Sequence, residues 1–251
     1  MRYFLLALFF CLGTPADANG DLSNNIRISS AALGYDLHYR VYEPDPSLYT
    51  APLPVIYITD GQWYLSDGHM VNILDTEITA GRIKPVLAVF VDSSDPDNPA
   101  INRRNQQFMC NARYVKFYTG ELIPTIEARY AASNNPDDRV IMGLSFGGLN
   151  SACFGLMASN AFHGIAMHSP ANSKHLKMLA DLYKKRPTLP LKMFFSIGTI
   201  KDNTKAARKF MKVLKAKNYD LTYTEVKERH NWQNWGPLID DALWTFFGTN
   251  Q

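Results

Sequence analysis

The sequence predicts an α/β fold: a mostly parallel central sheet with helices on both faces and an antiparallel edge at its N-terminal end. Three observations predict it. Short, fully apolar runs such as Val55-Ile56-Tyr57-Ile58-Thr59 and Val86-Leu87-Ala88-Val89-Phe90-Val91 suit strands covered on both sides, as in parallel sheets. Strand-like and helix-like runs alternate along the chain, as parallel crossovers require. Finally, Gly143-Leu144-Ser145-Phe146-Gly147-Gly148 follows the apolar run Val140-Ile141-Met142. It precedes a run in which Leu149, Ala152, Cys153, Leu156 and Met157 recur at helical spacing. That is strand, sharp turn and helix, with a serine at the turn.

The elements follow in order. Residues 26–30 and 36–43 read as two strands joined at Gly34, which form the antiparallel edge. Pro44, Pro46, Pro52 and Pro54 then mark a loop. The first buried strand ends at Asp60-Gly61-Gln62-Trp63. Met70, Ile73, Leu74 and Ile78 share a helical face, and Gly81 stops that helix. Residues 93–111 form a long polar loop carrying Arg103-Arg104, and loops of that length in compact domains usually have a function or are disordered. Residues 111–130 read as a helix through Val115, Tyr118, Leu122 and Ile126. Pro124 removes one of its hydrogen bonds, so a kink or break is expected there. Beyond the serine turn come a strand ending at His168-Ser169-Pro170, a helix from Asn172 to Lys185 and a strand from Leu191 to Ile197. A helix from Thr204 to Lys217, a last strand at Leu221 to Val226 and a terminal helix from Pro237 to Phe247 complete the chain. The lysines on the outer sides of the 172–185 and 204–217 helices read as solvated faces.

Length and composition fit this picture. The 251 residues amount to one large domain or two small ones, and no linker or repeat divides them. Hydrophobic residues make up 46% and charged residues 20%, which is ordinary for a globular protein. A net charge of +3 is too small to argue for nucleic acid. Arg2 followed by the apolar run Tyr3 to Leu12, then Ala16-Asp17-Ala18, reads as a signal peptide of residues 1–18 cleaved after Ala18. The remainder, 19–251, is read as a single catalytic domain that is periplasmic or secreted. No stable membrane anchor is expected, and the sequence does not set the oligomeric state. Of three cysteines, Cys11 would leave with the signal. Export permits a disulfide between Cys110 and Cys153, and the sequence does not settle the pairing; Cys153 lies on the apolar face of its helix, where a free thiol is the commoner state, so free thiols are the favoured expectation.

The serine needs a base, an orienting acid and an oxyanion hole. His230 follows the last strand, on a loop at the carboxyl edge, and an imidazole can take the serine proton and return it. His168 is the second candidate base. Asp202 follows the strand before the last, so it falls on a loop neighbouring His230; it could also cap the next helix. Asp220 and Glu225 are fallback acids. The main-chain N–H groups of Phe146, at a helix N-terminus, and of Gln62, after the first buried strand, are the expected oxyanion donors, with Trp63 next. Trp63, Arg103, Arg104 and Trp232 are candidate substrate contacts. No histidine–carboxylate cluster has metal-ligand spacing, and no cofactor is implied.

The sequence order just described resembles the esterase family of α/β-hydrolases that includes esterase D, enterochelin esterases, feruloyl esterases and mycolyltransferases. Asp60-Gly61-Gln62-Trp63, Gly143 to Leu149, Gly198-Thr199 with Asp202-Asn203, and His230-Asn231-Trp232 carry the resemblance. It runs from about Val55 to Phe247 and is nearest the enterochelin-esterase branch, where a proline inside the helix also occurs. The resemblance implies an α/β-hydrolase fold and an exported serine carboxylic-ester hydrolase acting through Ser145, His230 and Asp202, on a siderophore-like or aromatic-acid ester. An acyltransferase with the same triad, a peptidase, which the resemblance favours less, and a non-catalytic binding protein on the fold are the alternatives. Two departures stand out. Relatives often have Gly-Gly before the histidine, where this chain has Glu228-Arg229; if that turn is left-handed, arginine there costs about 1 kcal/mol. Relatives also often carry Arg-x-x-Glu where this chain has Arg103 or Arg104 followed by Asn105-Gln106-Gln107.

Overall fold

A computed structural model describes residues 19–249. The expected export segment, residues 1–18, lies outside them. The antiparallel edge consists of β1 (Asp21–Leu22), β2 (Ile26–Ser30) and β3 (Tyr35–Glu43), with Gly34 between β2 and β3 at φ 81°. Both β1 and β2 pair with β3, which runs antiparallel to β5. Next come β4 (Val55–Thr59), α1 (Gly61–Ser66), α2 (Met70–Thr79) and β5 (Leu87–Val91). A short helix α3 (Arg104–Gln107) interrupts the long loop, followed by α4 (Ala112–Phe117) and α5 (Ile123–Arg129). Then β6 (Arg139–Leu144), α6 (Phe146–Met157), β7 (Gly164–His168), α7 (Ser173–Lys185), β8 (Lys192–Gly198), α8 (Thr204–Ala216) and β9 (Asp220–Val226) alternate. The described chain closes on α9 (Trp232–Trp235) and α10 (Ile239–Phe247).

The sheet order is β1-β3-β5-β4-β6-β7-β8-β9, with β2 also on β3; all neighbours from β5 through β9 are parallel. Strand periodicity of two divides the core cleanly. Val55, Tyr57, Leu87, Val89, Ile141 and Phe195 face the layer built from α4 to α8. Ile56, Ile58, Ala88, Phe90, Met142 and Phe194 face α2 and α10 through Leu74, Ile78, Ile239 and Leu243. Two covered faces explain why these strands are apolar throughout. Among the described residues, no helix is long and apolar enough to cross a membrane.

Pro124 neither breaks nor ends the helix. Residues Tyr118–Leu122 widen into a π-turn, in which the Ile123 N–H reaches back five residues to the Tyr118 carbonyl. Pro124 then sits second in α5, where its missing N–H is not needed.

The expectation of two free thiols is corrected: Cys110 and Cys153 form a disulfide, with Cα atoms 5.1 Å apart. Cys153 does lie in the core on α6, but the chain entering α4 packs across that helix and brings Cys110 onto it. The bridge spans 43 residues. Chain entropy alone puts its worth at about 4 kcal/mol, with 2–4 kcal/mol typical. The double variant Cys110→Ser/Cys153→Ala is expected to lose roughly 2–4 kcal/mol, read as a lower urea midpoint with a somewhat steeper slope, because the denatured chain freed of its cross-link exposes more surface.

Candidate active site

The serine turn is built by close approach. A Cβ on Gly143 would lie 2.4 Å from the Gly147 carbonyl carbon and 2.5 Å from Thr59 Oγ1, and one on Gly147 would lie 2.8 Å from the same oxygen. Only hydrogen fits at either place. Ser145 itself sits at φ 54°, ψ −117°, a region that L residues avoid and that costs of order 1–3 kcal/mol. Neighbouring backbone holds it there. The Ser145 N–H donates to the His168 carbonyl (2.8 Å), and the Ser145 carbonyl accepts from Ala171 N–H (2.9 Å) and Leu149 N–H (3.1 Å). The strand end of β7 therefore clamps the turn at the head of α6.

His230, on the loop after β9, points Nε2 at Ser145 Oγ (2.8 Å) and Nδ1 at Asp202 Oδ1 (3.0 Å). The Asp202 side chain is fully buried. Its Oδ1 also accepts from Asn203 N–H (2.9 Å). Its Oδ2 accepts from Ser169 Oγ–H (2.7 Å), Gly198 N–H (3.0 Å) and Asn234 Nδ2–H (3.3 Å). Burial pushes this carboxyl up, but the bonds from His230, Ser169 and Gly198 outweigh it and hold the group below the usual carboxylate range. Asp202 thus stays ionised beside the imidazole. Ser169 and Asn234 escaped the sequence reading. Both are fully or nearly fully buried, and Asn234 Nδ2 also reaches Ser169 Oγ (3.1 Å) and the Arg229 carbonyl (3.0 Å), joining α9 to the end of β7. The place of Ser169 at a strand's carboxyl end was their one sequence clue.

The other sequence candidates lie elsewhere. His168 is completely buried beneath the turn, with Nδ1 at 3.2 Å from Ser196 Oγ. Burial drives its pKa down to about 3, so it is a neutral support whose carbonyl, not its ring, serves Ser145. Glu225 is taken by Arg208 and Tyr223, and Asp220 sits at the opposite end of β9.

A pocket of about 280 Å³ opens over Ser145, lined by Trp63, Asp67, Arg104, Leu144, Trp232 and Trp235. Arg104 reaches in from α3. Its Nε donates to Asp60 Oδ2 (2.7 Å) and its Nη2 to the Leu144 carbonyl (3.0 Å), the residue before the serine. Its guanidinium lies over the rings of Trp63 (5.1 Å) and Phe146 (5.5 Å). Arg103 departs from expectation: it pairs with Asp95 (2.6 Å) and stacks on Tyr35 (4.3 Å), so it stiffens the loop and is absent from the pocket wall. Trp232 and Trp235 pack edge to face at 5.6 Å, and Trp235 meets the His230 ring at 5.0 Å.

The two expected oxyanion donors occupy helix starts. Phe146 opens α6 and Gly61-Gln62 opens α1. Trp63 N–H is spent on the Asp60 carbonyl (2.9 Å), whereas Gln62 N–H helps to stabilise the charged form of Asp92. The Gln62 side chain continues a buried chain of bonds through Ser93 Oγ (3.1 Å) to Asp60 Oδ1 (3.0 Å). Asp60 is wholly buried, and burial raises its pKa to about 6 even though Arg104 pulls it down. A carboxyl raised from 3.8 to about 6 favours folding below the lower value and loses that contribution as pH rises through the upper. Removing Arg104 moves the upper value higher still. Arg104→Leu is therefore expected to lose least near pH 4 and progressively more as pH rises above 6, approaching about 3 kcal/mol once pH passes the variant's raised value, by urea unfolding across that range. Among the described residues, no three His, Cys, Asp or Glu side chains gather as a metal site.

The family described as Putative esterase matches residues 30–246. The chain belongs to that family. As a member of it, the chain is 26% identical over 165 residues to the iron(III) enterobactin esterase of Yersinia enterocolitica, which covers 63% of this chain and 45% of that protein. It thus spans less than half the length of the curated relatives it matches. Its fold is that of the enterobactin esterase of Shigella flexneri, crystallised in the presence of enterobactin (TM-score 0.79, 19% identity, 89% of this chain and 58% of that one). It is shared with the ferulic acid esterase of Anaeromyces mucronatus (TM-score 0.68, 16% identity, 92% and 90%). Against that family background, Glu228 and Arg229 lose their awkwardness. Neither has positive φ, so the arginine carries no left-handed cost; the left-handed residue nearest the acid is Lys201, at φ 52°.

Proposed function

We propose that the chain is a serine carboxylic-ester hydrolase. One observation carries this reading: Ser145 Oγ, His230 and ionised Asp202 stand in a single hydrogen-bonded line of 2.8 and 3.0 Å. His230 Nε2 takes the serine proton as Oγ attacks the ester carbonyl, and Asp202 stabilises the imidazolium that forms. The developing oxyanion turns to the Phe146 N–H; Gln62 N–H, the other expected donor, is bonded to Asp92. Collapse expels the alcohol, which takes its proton from His230. Water, deprotonated by the same nitrogen, then releases the acid from Ser145. Trp63, Trp232 and Arg104 suit a flat aromatic acyl group with polar substituents, in keeping with the enterobactin and ferulic acid esterases that share the fold. Export is supported by the N-terminal sequence and by a disulfide that persists only in oxidising surroundings.

The test is covalent. An alkyl fluorophosphonate should add one phosphonyl group to Ser145, located by peptide mass spectrometry, and abolish hydrolysis of a p-nitrophenyl ester in proportion. Labelling elsewhere, or activity that survives complete labelling, would refute the mechanism. Triscatecholate lactones, feruloyl esters and simple acyl esters, compared side by side, would then rank the substrate.

Ser169 and Asn234 act on this chemistry through Asp202. Ser169→Ala removes a donor from Oδ2, so negative charge gathers on the oxygen facing His230. We expect kcat/KM to fall by up to about 100-fold and the acid limb of its pH profile to move upward. A purely structural role would lower the rate and leave that limb in place.

A further inference from the structure

Charge is distributed unevenly along the chain. Residues 174–217 hold thirteen of its 26 Lys and Arg but two of its 23 Asp and Glu. That stretch carries +11 and the remainder −8. Of its two acids, Asp202 is buried at the site and Asp181 pairs with Lys177. The fold concentrates these charges further. Helices α7 and α8 pack side by side over one face of the sheet, and a groove of about 480 Å³ runs between them. Exposed Lys177, Lys184, Lys205 and Lys209 line it, with Ala180 and Val213 more deeply set. What read in sequence as two solvated helix faces is one basic surface.

Its arrangement costs folding stability. In α8, Lys205 stands four residues from Lys209, and like charges at that spacing repel, whereas Arg208 is already paired with Glu225. Lys174 and Lys205 each occupy the second position of their helix, where the dipole already presents positive charge. An external layer of anions would relieve both.

We propose that the α7–α8 face docks reversibly on an anionic lipid membrane. Three observations select that partner. The Cys110–Cys153 disulfide places the working protein in oxidising surroundings, where lipid phosphates and not nucleic acids are the abundant polyanion. Tyr183 and Phe210 are buried and the half-buried His175 ring packs on Phe146 (5.5 Å), so no free ring is offered to stack on bases. The cations are almost all lysines, hydrated point charges that suit a fluid headgroup layer better than fixed bidentate recognition. Among the described residues no large apolar side chain is fully exposed on either helix, so attachment is electrostatic and without insertion. Ser173 and Asn203 tie the two helix starts together (2.8 Å), beside Asp202. The basic face therefore begins at the sheet edge that also carries Asp202 and runs away from it along both helices.

The test is co-sedimentation of the whole protein with vesicles of phosphatidylcholine, with and without phosphatidylglycerol. We expect binding to the anionic vesicles alone in about 10 mM salt, where screening reaches only beyond about 30 Å, and release in about 1 M salt. Lys184→Glu/Lys209→Glu/Lys212→Glu should weaken binding by about 100-fold or more, with hydrolysis of a soluble p-nitrophenyl ester unchanged. The corresponding triple glutamine variant should weaken it less, and serves if charge reversal disturbs folding. Equal binding to neutral vesicles, no binding at low salt, or undiminished binding by both variants would each overturn the proposal. So would duplex DNA that outcompetes the anionic vesicles.

Discussion

Ser145→Ala is expected to lower kcat on a p-nitrophenyl ester by about four to six orders of magnitude, the scale on which removing a nucleophile acts in a serine hydrolase. Alanine keeps the Cβ that already sits at φ 54°, so the turn's strain and its clamp on the His168 and Ala171 backbone persist. The loss would then be chemical, and near-UV circular dichroism and the urea midpoint should stay close to those of the parent. His230→Ala should cost nearly as much, because an unactivated serine hydroxyl is a poor nucleophile. Combining the two should add little, since both remove one proton-transfer unit. Full additivity would mean that serine and histidine act separately, contrary to their 2.8 Å contact. Parental activity in Ser145→Ala would remove the mechanism altogether.

The sheet was legible because burial on two faces leaves a plain mark. Val55 to Thr59 and Leu87 to Val91 are apolar at every position but one and are the neighbouring parallel strands β4 and β5, each flanked on both sides. The order of Ser145, Asp202 and His230 was legible because each follows a strand that can be recognised alone, and parallel strands put their following loops at one edge. Contacts between distant elements left no such mark. Cys110 lies 43 residues from its partner, and nothing local tells a paired thiol from a core one. Arg103 and Arg104 are neighbours of one chemical type, yet one binds Asp95 and the other buried Asp60, because α3 turns them to different sides. Ser169 and Asn234 converge on Asp202 from the end of β7 and from α9, and each alone is an ordinary polar residue. The basic face was missed for the same reason: two lysine-rich helices separated by β8 become one surface only when packed.

Asp202→Asn is expected to be nearly as damaging as loss of the serine, by about 10⁴ in kcat, the size of the corresponding change in the worked case of chymotrypsin-like enzymes. The bonds around the carboxylate say why. Three donors, Ser169 Oγ–H, Gly198 N–H and Asn234 Nδ2–H, converge on Oδ2, whereas His230 and Asn203 N–H face Oδ1. An asparagine would therefore put its carbonyl oxygen at the Oδ2 place and its NH2 toward His230. That NH2 can only donate, so Nδ1 must accept and the ring proton must move to Nε2. His230 would then offer Ser145 a donor where an acceptor is required. The geometry stays almost intact while the tautomer is reversed, and nitrogen NMR of the imidazole distinguishes the two forms directly. Asp202→Ala frees the ring to choose its tautomer and should retain more activity than Asp202→Asn, despite the larger change in shape. An asparagine variant within tenfold of the parent, or one whose ring still carries its proton on Nδ1, would show that Asp202 does not set the tautomer.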